Sequence, residues 1–177
     1  MSCPLILTLR LDLASSAFFE AERQRHFPPD RNVIPAHVTL FHHLPGEREA
    51  AIQHDLREAT GEHAPFALVV DGLRFLGRGV AYRLRSEEFT ALRERLSRRW
   101  AADLTPQDRQ KIAPQVTVQN KVDPARARAL FERLSARFEP FPVRAEGLLL
   151  WRYLGGPWSL SGGFDFGAPT GNTASPP

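Results

Sequence analysis

The sequence predicts an α+β fold of two pseudo-symmetric lobes, with antiparallel sheets and flanking helices around a central cleft. Two observations predict it. Period-two strand patterns and helical stretches follow one another in the same order twice along the chain. Short segments also recur at nearly one offset. His37-Val38-Thr39-Leu40 is echoed 78 positions on by Gln115-Val116-Thr117-Val118, and Pro65-Phe66 with Asp71-Gly72-Leu73 is echoed at an offset of 75 by Pro140-Phe141 with Glu146-Gly147-Leu148. Tyr82 and Trp158 hold similar places in the strand that follows each block. An internal duplication of this kind packs its halves about a pseudo-twofold axis, so that equivalent strands face each other across one cleft. The expected organisation is a single bilobal domain over residues 1–166, with repeats at about 4–78 and 79–166, and a disordered tail over 167–177, which is Gly, Pro, Ser, Thr and Asn without periodicity.

The first element is a half-buried strand at 5–12, where Leu5, Leu7, Leu9 and Leu11 share a face. A helix follows over 15–27, with Ser15 or Ser16 as cap and Pro28-Pro29 closing it. The His37 strand comes next, then a second helix over 46–59. A strand region at 66–76 is broken by Asp71-Gly72, and Gly77-Arg78-Gly79 turns the chain into a strand at 80–85. The order then repeats. A helix at 86–102 has Ser86 as cap and Glu87-Glu88 in its positive first turn. The echo strand spans 115–122, and a helix over 124–138 begins on Pro124. Strands at 141–153 and 158–166 complete the pattern.

Composition narrows the function classes. The chain of 177 residues is 42% apolar and 24% charged, with a net charge of +3 and a pI near 9.6. That balance fits a soluble domain with an anionic ligand and falls short of a nucleic-acid-coating surface. Cys3 is the only cysteine, which fits a reducing compartment, the cytoplasm by default. The N-terminal apolar run is interrupted by Arg10 and Asp12, so it reads as a strand and not as a signal peptide or membrane span.

The chemistry concentrates in the repeated motif. Alternation buries Val38 and Leu40 and turns His37 and Thr39 outward, pairing a proton carrier active near neutral pH with a hydroxyl donor. Both are what a phosphate site needs. The echo keeps the threonine, Thr117, and replaces the histidine with Gln115. The same alternation places Phe41 and His43 on the face of His37, and Gln119 and Lys121 on the face of Thr117. Phe41 is then a candidate to stack on a base, and Lys121 to meet a second phosphate. Thr8 and Arg10 on the first strand, and Arg83 on its repeat counterpart, are further anion-binding candidates, for which a solvated sheet edge is the competing reading. His37, His42 and His43 match no standard zinc spacing and have no thiol nearby, so no metal and no cofactor is expected.

Two His-x-Thr-x motifs, one per half of a duplicated α+β protein of this length, are the signature of the 2H phosphoesterase superfamily. The chain resembles that superfamily, including its 2′-5′ RNA ligase-like and cyclic phosphodiesterase members, over all but the tail. The resemblance implies a metal-independent phosphodiesterase acting on a 2′,3′-cyclic phosphate or 2′-5′ linkage of a nucleotide or RNA terminus. It implies an acid/base role for His37 and hydrogen-bond donation to phosphate by Thr39 and Thr117; a monomer is expected. The departure at Gln115 falls where the family has its other histidine. A glutamine amide donates hydrogen bonds to phosphate oxygens and does not transfer protons. Phosphate binding is expected to survive the change and turnover to suffer, so the alternative is a non-catalytic nucleotide or RNA-end binding protein of the same fold. An unrelated α+β domain with an accidental motif is the third reading, against which the repeat weighs.

Overall fold

A computed structural model describes residues 2–167. The expected tail lies outside the described residues except for Gly167, whose N–H donates to the Thr60 carbonyl at 3.0 Å.

Seven strands form one antiparallel sheet in the order β2-β1-β6-β3-β4-β5, with β7 also paired to β6. The strands are β1 (Leu5–Leu11), β2 (Thr39–Leu44), β3 (Phe66–Phe75), β4 (Val80–Arg85), β5 (Gln115–Gln119), β6 (Phe141–Tyr153) and β7 (Trp158–Asp165). The 13 residues of β6 join the two halves of the molecule. Phe141 to Ala145 pair with β3, and Ala145 to Tyr153 pair with β1 and β7. Strands from the two sequence repeats therefore interleave, with β1 of the first held against β6 of the second. The expected break at Asp71-Gly72 is a bulge inside a continuous β3, where the pairing with β4 shifts between Val70 and Gly72.

The helices cross over in the same way. Helix α1 (Leu13–His26) starts two residues earlier than the serines suggested, because Asp12 is its cap and accepts from the Ser15 N–H at 2.9 Å. It packs on β5, and its buried Arg23 donates to the Thr117 carbonyl at 2.9 Å. Helix α3 (Glu87–Arg99), capped by Ser86 as expected, does the reciprocal thing, with buried Arg93 donating to the Leu40 carbonyl at 2.9 Å. Each repeat thus lends a helix arginine to the motif strand of the other. Helix α2 (Glu49–Gly61) packs against β6 and β7, and α4 (Pro124–Ala136) against β3. One continuous core fills the space between, from Leu5 and Phe19 through Leu40 and Trp100 to Val118 and Val143. β1 is buried on both faces from Leu5 to Leu9, since the Trp151 indole covers the side of Ile6 and Thr8.

Both motif strands carry a bulge at the same point. In β2 the pairing with β1 shifts between Thr8↔Thr39 and Leu7↔Phe41. In β5 the pairing with β4 shifts between Ala81↔Thr117 and Val80↔Gln119. A bulge adds one residue and reverses the alternation beyond it. Leu40 and Phe41 consequently both face the core, as do Val118 and Gln119. Strict alternation past the threonines, as expected from the sequence, is corrected at both places for one reason.

Candidate active site

A cleft of about 380 Å³ opens between the two motif strands, and His37, Thr39, Gln115 and Thr117 all line it. Val38, Leu40, Val116 and Val118 lie buried beneath them. Ile6 and Trp158 form an apolar wall, while Arg74, Lys111, Ile112, Ala113 and His42 complete the lining. The lining has two permanent cations, Arg74 and Lys111, and no carboxylate, so it favours an anionic guest.

His37 sits in extended chain just before β2, where the Leu9 N–H holds the Val38 carbonyl at 2.9 Å. Its Nδ1 lies 2.8 Å from the Pro35 carbonyl. A carbonyl only accepts, so Nδ1 carries the proton and Nε2 is the basic nitrogen. The Trp158 ring packs on the imidazole at 4.7 Å. Burial pushes the His37 pKa down to about 4, with Arg23 and His42 adding to the shift and the Pro35 hydrogen bond opposing it. At neutral pH the group is an uncharged base.

Gln115 presents the opposite polarity. Arg74 Nη1 donates to Gln115 Oε1 at 3.2 Å, and a guanidinium has no acceptor to offer, so the amide oxygen is taken and the NH₂ is left as a donor. Thr39 pairs with Thr8 across the sheet and Thr117 with Ala81, each at the last pair before its bulge, which holds both hydroxyl-bearing residues at the cleft.

Several expected binding residues stand elsewhere. Phe41 does not enter the cleft. Turned in by the bulge, it is fully buried, edge-on to Trp100 at 5.4 Å with the Arg93 guanidinium 4.9 Å above its ring. Gln119 is turned in likewise and is 3% exposed. His43 and Lys121 are exposed and outside the lining, Lys121 in a left-handed turn residue at φ 62°. The Thr8 hydroxyl accepts from the Trp151 indole N–H at 2.9 Å. Arg10 is spent on Asp165 at 2.7 Å and on the Glu146 carbonyl at 3.1 Å. Thr8 and Arg10 border a second, apolar groove of about 370 Å³ between β1 and α1, which shares His37 with the cleft. Arg83 lies on the Gln115 side of the sheet but folds over Gly72 onto Asp71 at 2.8 Å.

The residues that replace them have little signal in the sequence. His42 reaches the cleft only because of the bulge. Lys111 to Ala113 belong to a connection without helix or strand, and Arg74 lies beyond the β3 bulge. Trp158 is marked in the sequence only as the counterpart of Tyr82. Among the described residues no group of three or more His, Cys, Asp or Glu side chains is placed to hold a metal ion.

The profile of the 2′-5′ RNA ligase superfamily matches residues 11–157. The chain belongs to that superfamily. No curated protein sequence matches it significantly. Among solved structures, TT0787 of Thermus thermophilus is similar with a TM-score of 0.66 at 17% identity, covering 92% of this chain and 97% of its own. The E. coli LigT complexed with 3′-AMP gives a TM-score of 0.60 at 14% identity, over 95% of this chain and 100% of its own. LigT complexed with phosphate gives 0.59 at 16% identity, over 94% and 99%. At these identities the structural likeness speaks for the fold, and it extends over both halves of the sheet. Membership of the 2′-5′ RNA ligase superfamily supports a phosphodiesterase-type or RNA-ligase-like function. No described helix is long and apolar enough to cross a membrane.

Proposed function

We propose that the protein is a metal-independent phosphodiesterase that opens a 2′,3′-cyclic phosphate, or cleaves a 2′-5′ linkage, on a nucleotide or RNA end. The observation that carries this reading is the convergence of the neutral His37 base with two threonines from equivalent strands in one cationic cleft. The Thr39 and Thr117 hydroxyls and the Gln115 NH₂ supply neutral donors to the non-bridging phosphate oxygens, and Arg74 and Lys111 offset their charge. His37 Nε2 takes a proton from the attacking water as the new P–O bond forms. The single cysteine supports a reducing, cytoplasmic setting for this chemistry.

A non-catalytic binding role for the same cleft is favoured by one observation, the glutamine at 115. One assay separates the two readings. The protein is incubated with each 2′,3′-cyclic nucleotide in the presence of chelator, and ring-opened nucleotide is quantified. Ring opening that survives the chelator is the expected result, and binding without turnover supports the second reading.

A further inference from the structure

Beyond the motif residues, the cleft holds a second imidazole. His42 lies on β2 just past the bulge, exposes 40% of its side chain and lines the cleft together with His37, Thr39 and Gln115. Behind it stands Asp108, fully buried, in the connection between α3 and β5. His42 Nδ1 lies 3.1 Å from Asp108 Oδ1. The same carboxylate accepts the backbone N–H of His42 at 2.8 Å and that of His43 at 2.8 Å, one on each oxygen. Arg93 Nη2 donates to the Asp108 carbonyl at 2.8 Å, and the Thr105 hydroxyl oxygen accepts the Asp108 N–H at 3.3 Å. Burial pushes the Asp108 carboxyl up, but the hydrogen bonds from His42 and His43 outweigh it and hold the group below the usual carboxylate range.

A buried carboxylate with three donors on it is a rigid, ionised anchor. It fixes the His42 tautomer with the proton on Nδ1 and leaves Nε2 as the nitrogen available to the cleft. When Nε2 also carries a proton, the carboxylate still stands against the Nδ1–H, the place an aspartate takes behind the histidine of a catalytic triad. A proton carrier backed in this way is what Gln115 lacks.

We infer that His42 is the second proton-transfer residue of this cleft, with Asp108 as its positioning residue, standing in for the histidine absent at 115. The inference rests on the phosphodiesterase reading. Water attacks phosphorus, a P–O bond forms, and the water proton passes to His37 Nε2. The P–O bond to one ribose oxygen breaks, and that oxygen takes the proton from His42 Nε2. The net reaction adds one water across one ester bond, and proton exchange with solvent resets both imidazoles.

The test compares leaving groups. Ring opening of a 2′,3′-cyclic nucleotide expels a ribose alkoxide that needs a proton, whereas a nucleoside p-nitrophenyl phosphodiester expels a phenolate that does not. His42→Asn keeps an N–H toward Asp108 and removes the proton carrier, and Asp108→Asn keeps the shape and removes the carboxylate. Folding of both is checked by circular dichroism and thermal unfolding. Each variant is expected to lose roughly 10²-fold or more in kcat on the cyclic nucleotide with KM little changed, and less than about tenfold on the p-nitrophenyl ester. Equal losses on both substrates, or wild-type rates on the cyclic nucleotide while His37→Ala is inactive, overturn the inference and leave the phosphodiesterase reading standing. Absence of ring opening by the wild-type protein overturns both.

Discussion

Arg74 Nη1 and Gln115 Oε1 are 3.2 Å apart, and that contact decides what position 115 offers a substrate. The guanidinium engages the amide oxygen, so Gln115 presents its NH₂ to the cleft as a donor beside a positive charge. A histidine placed there would sit next to that charge, which disfavours its protonated form. From the sequence alone, Gln115→His is expected to restore a missing proton carrier and raise turnover by roughly 10²-fold. With Arg74 at its side and His42 already in the cleft, the expected gain falls below about tenfold. Steady-state ring-opening rates of the variant decide it, and a gain of 10²-fold or more would show that the natural cleft has one proton carrier only.

The shielded His37 sets the acid side of the pH profile. Its pKa in the folded protein, about 4, lies below the roughly 6.5 of an unperturbed histidine, so the unfolded chain binds more protons between those values. The stability gained by keeping the imidazole neutral is complete above pH about 6.5 and is lost as pH falls through about 4. As a base, His37 works only when neutral. The acid limb of kcat/KM is therefore expected near pH 4, well under the ordinary histidine range. A limb centred near 6.5 would contradict the burial assigned to this ring.

Thr39 and Thr117 are expected to contribute comparably, since they occupy equivalent places on the two motif strands. Each of Thr39→Val and Thr117→Val removes one neutral donor at roughly constant volume and should weaken inorganic phosphate binding by about 1 kcal/mol, roughly fivefold in Kd. Titration calorimetry on the two variants measures it. A loss confined to one threonine would break the symmetry of the proposed phosphate site.

Much of this arrangement is legible in the sequence, and the part that is not has a physical cause. Strands β4 and β6 lie where the alternation put them, and the repeated His/Gln-x-Thr motifs do face one cleft. Period-two reasoning fails just past each threonine because a bulge adds a residue there, and nothing in Leu40-Phe41 or Val118-Gln119 marks a bulge. The error propagates: it sends Phe41 into the cleft and keeps His42 out of it. Asp108 is out of reach for a different reason. It lies 66 positions from His42 in an aperiodic connection, and only tertiary structure joins them.

The bulge itself makes a prediction about stability. Gln119 is 3% exposed, and its Oε1 has no hydrogen-bond partner among the described residues. Its counterpart in the other repeat is the apolar Phe41. Replacing a buried amide whose oxygen lacks a partner with an apolar side chain of similar length removes a desolvation cost of about 1–3 kcal/mol. Gln119→Met is expected to raise the unfolding free energy by about 1 kcal/mol in urea titrations, and a fall of that size would mean the amide is satisfied in solution.

The proposed chemistry turns on His37 more than on any other residue. The most direct measurement is the rate at which His37→Ala opens a 2′,3′-cyclic nucleotide in chelator, against the wild-type rate under the same conditions. A general base at this position predicts a fall of roughly 10²–10⁴-fold with thermal unfolding little changed above neutral pH. Turnover by His37→Ala at the wild-type rate would contradict it.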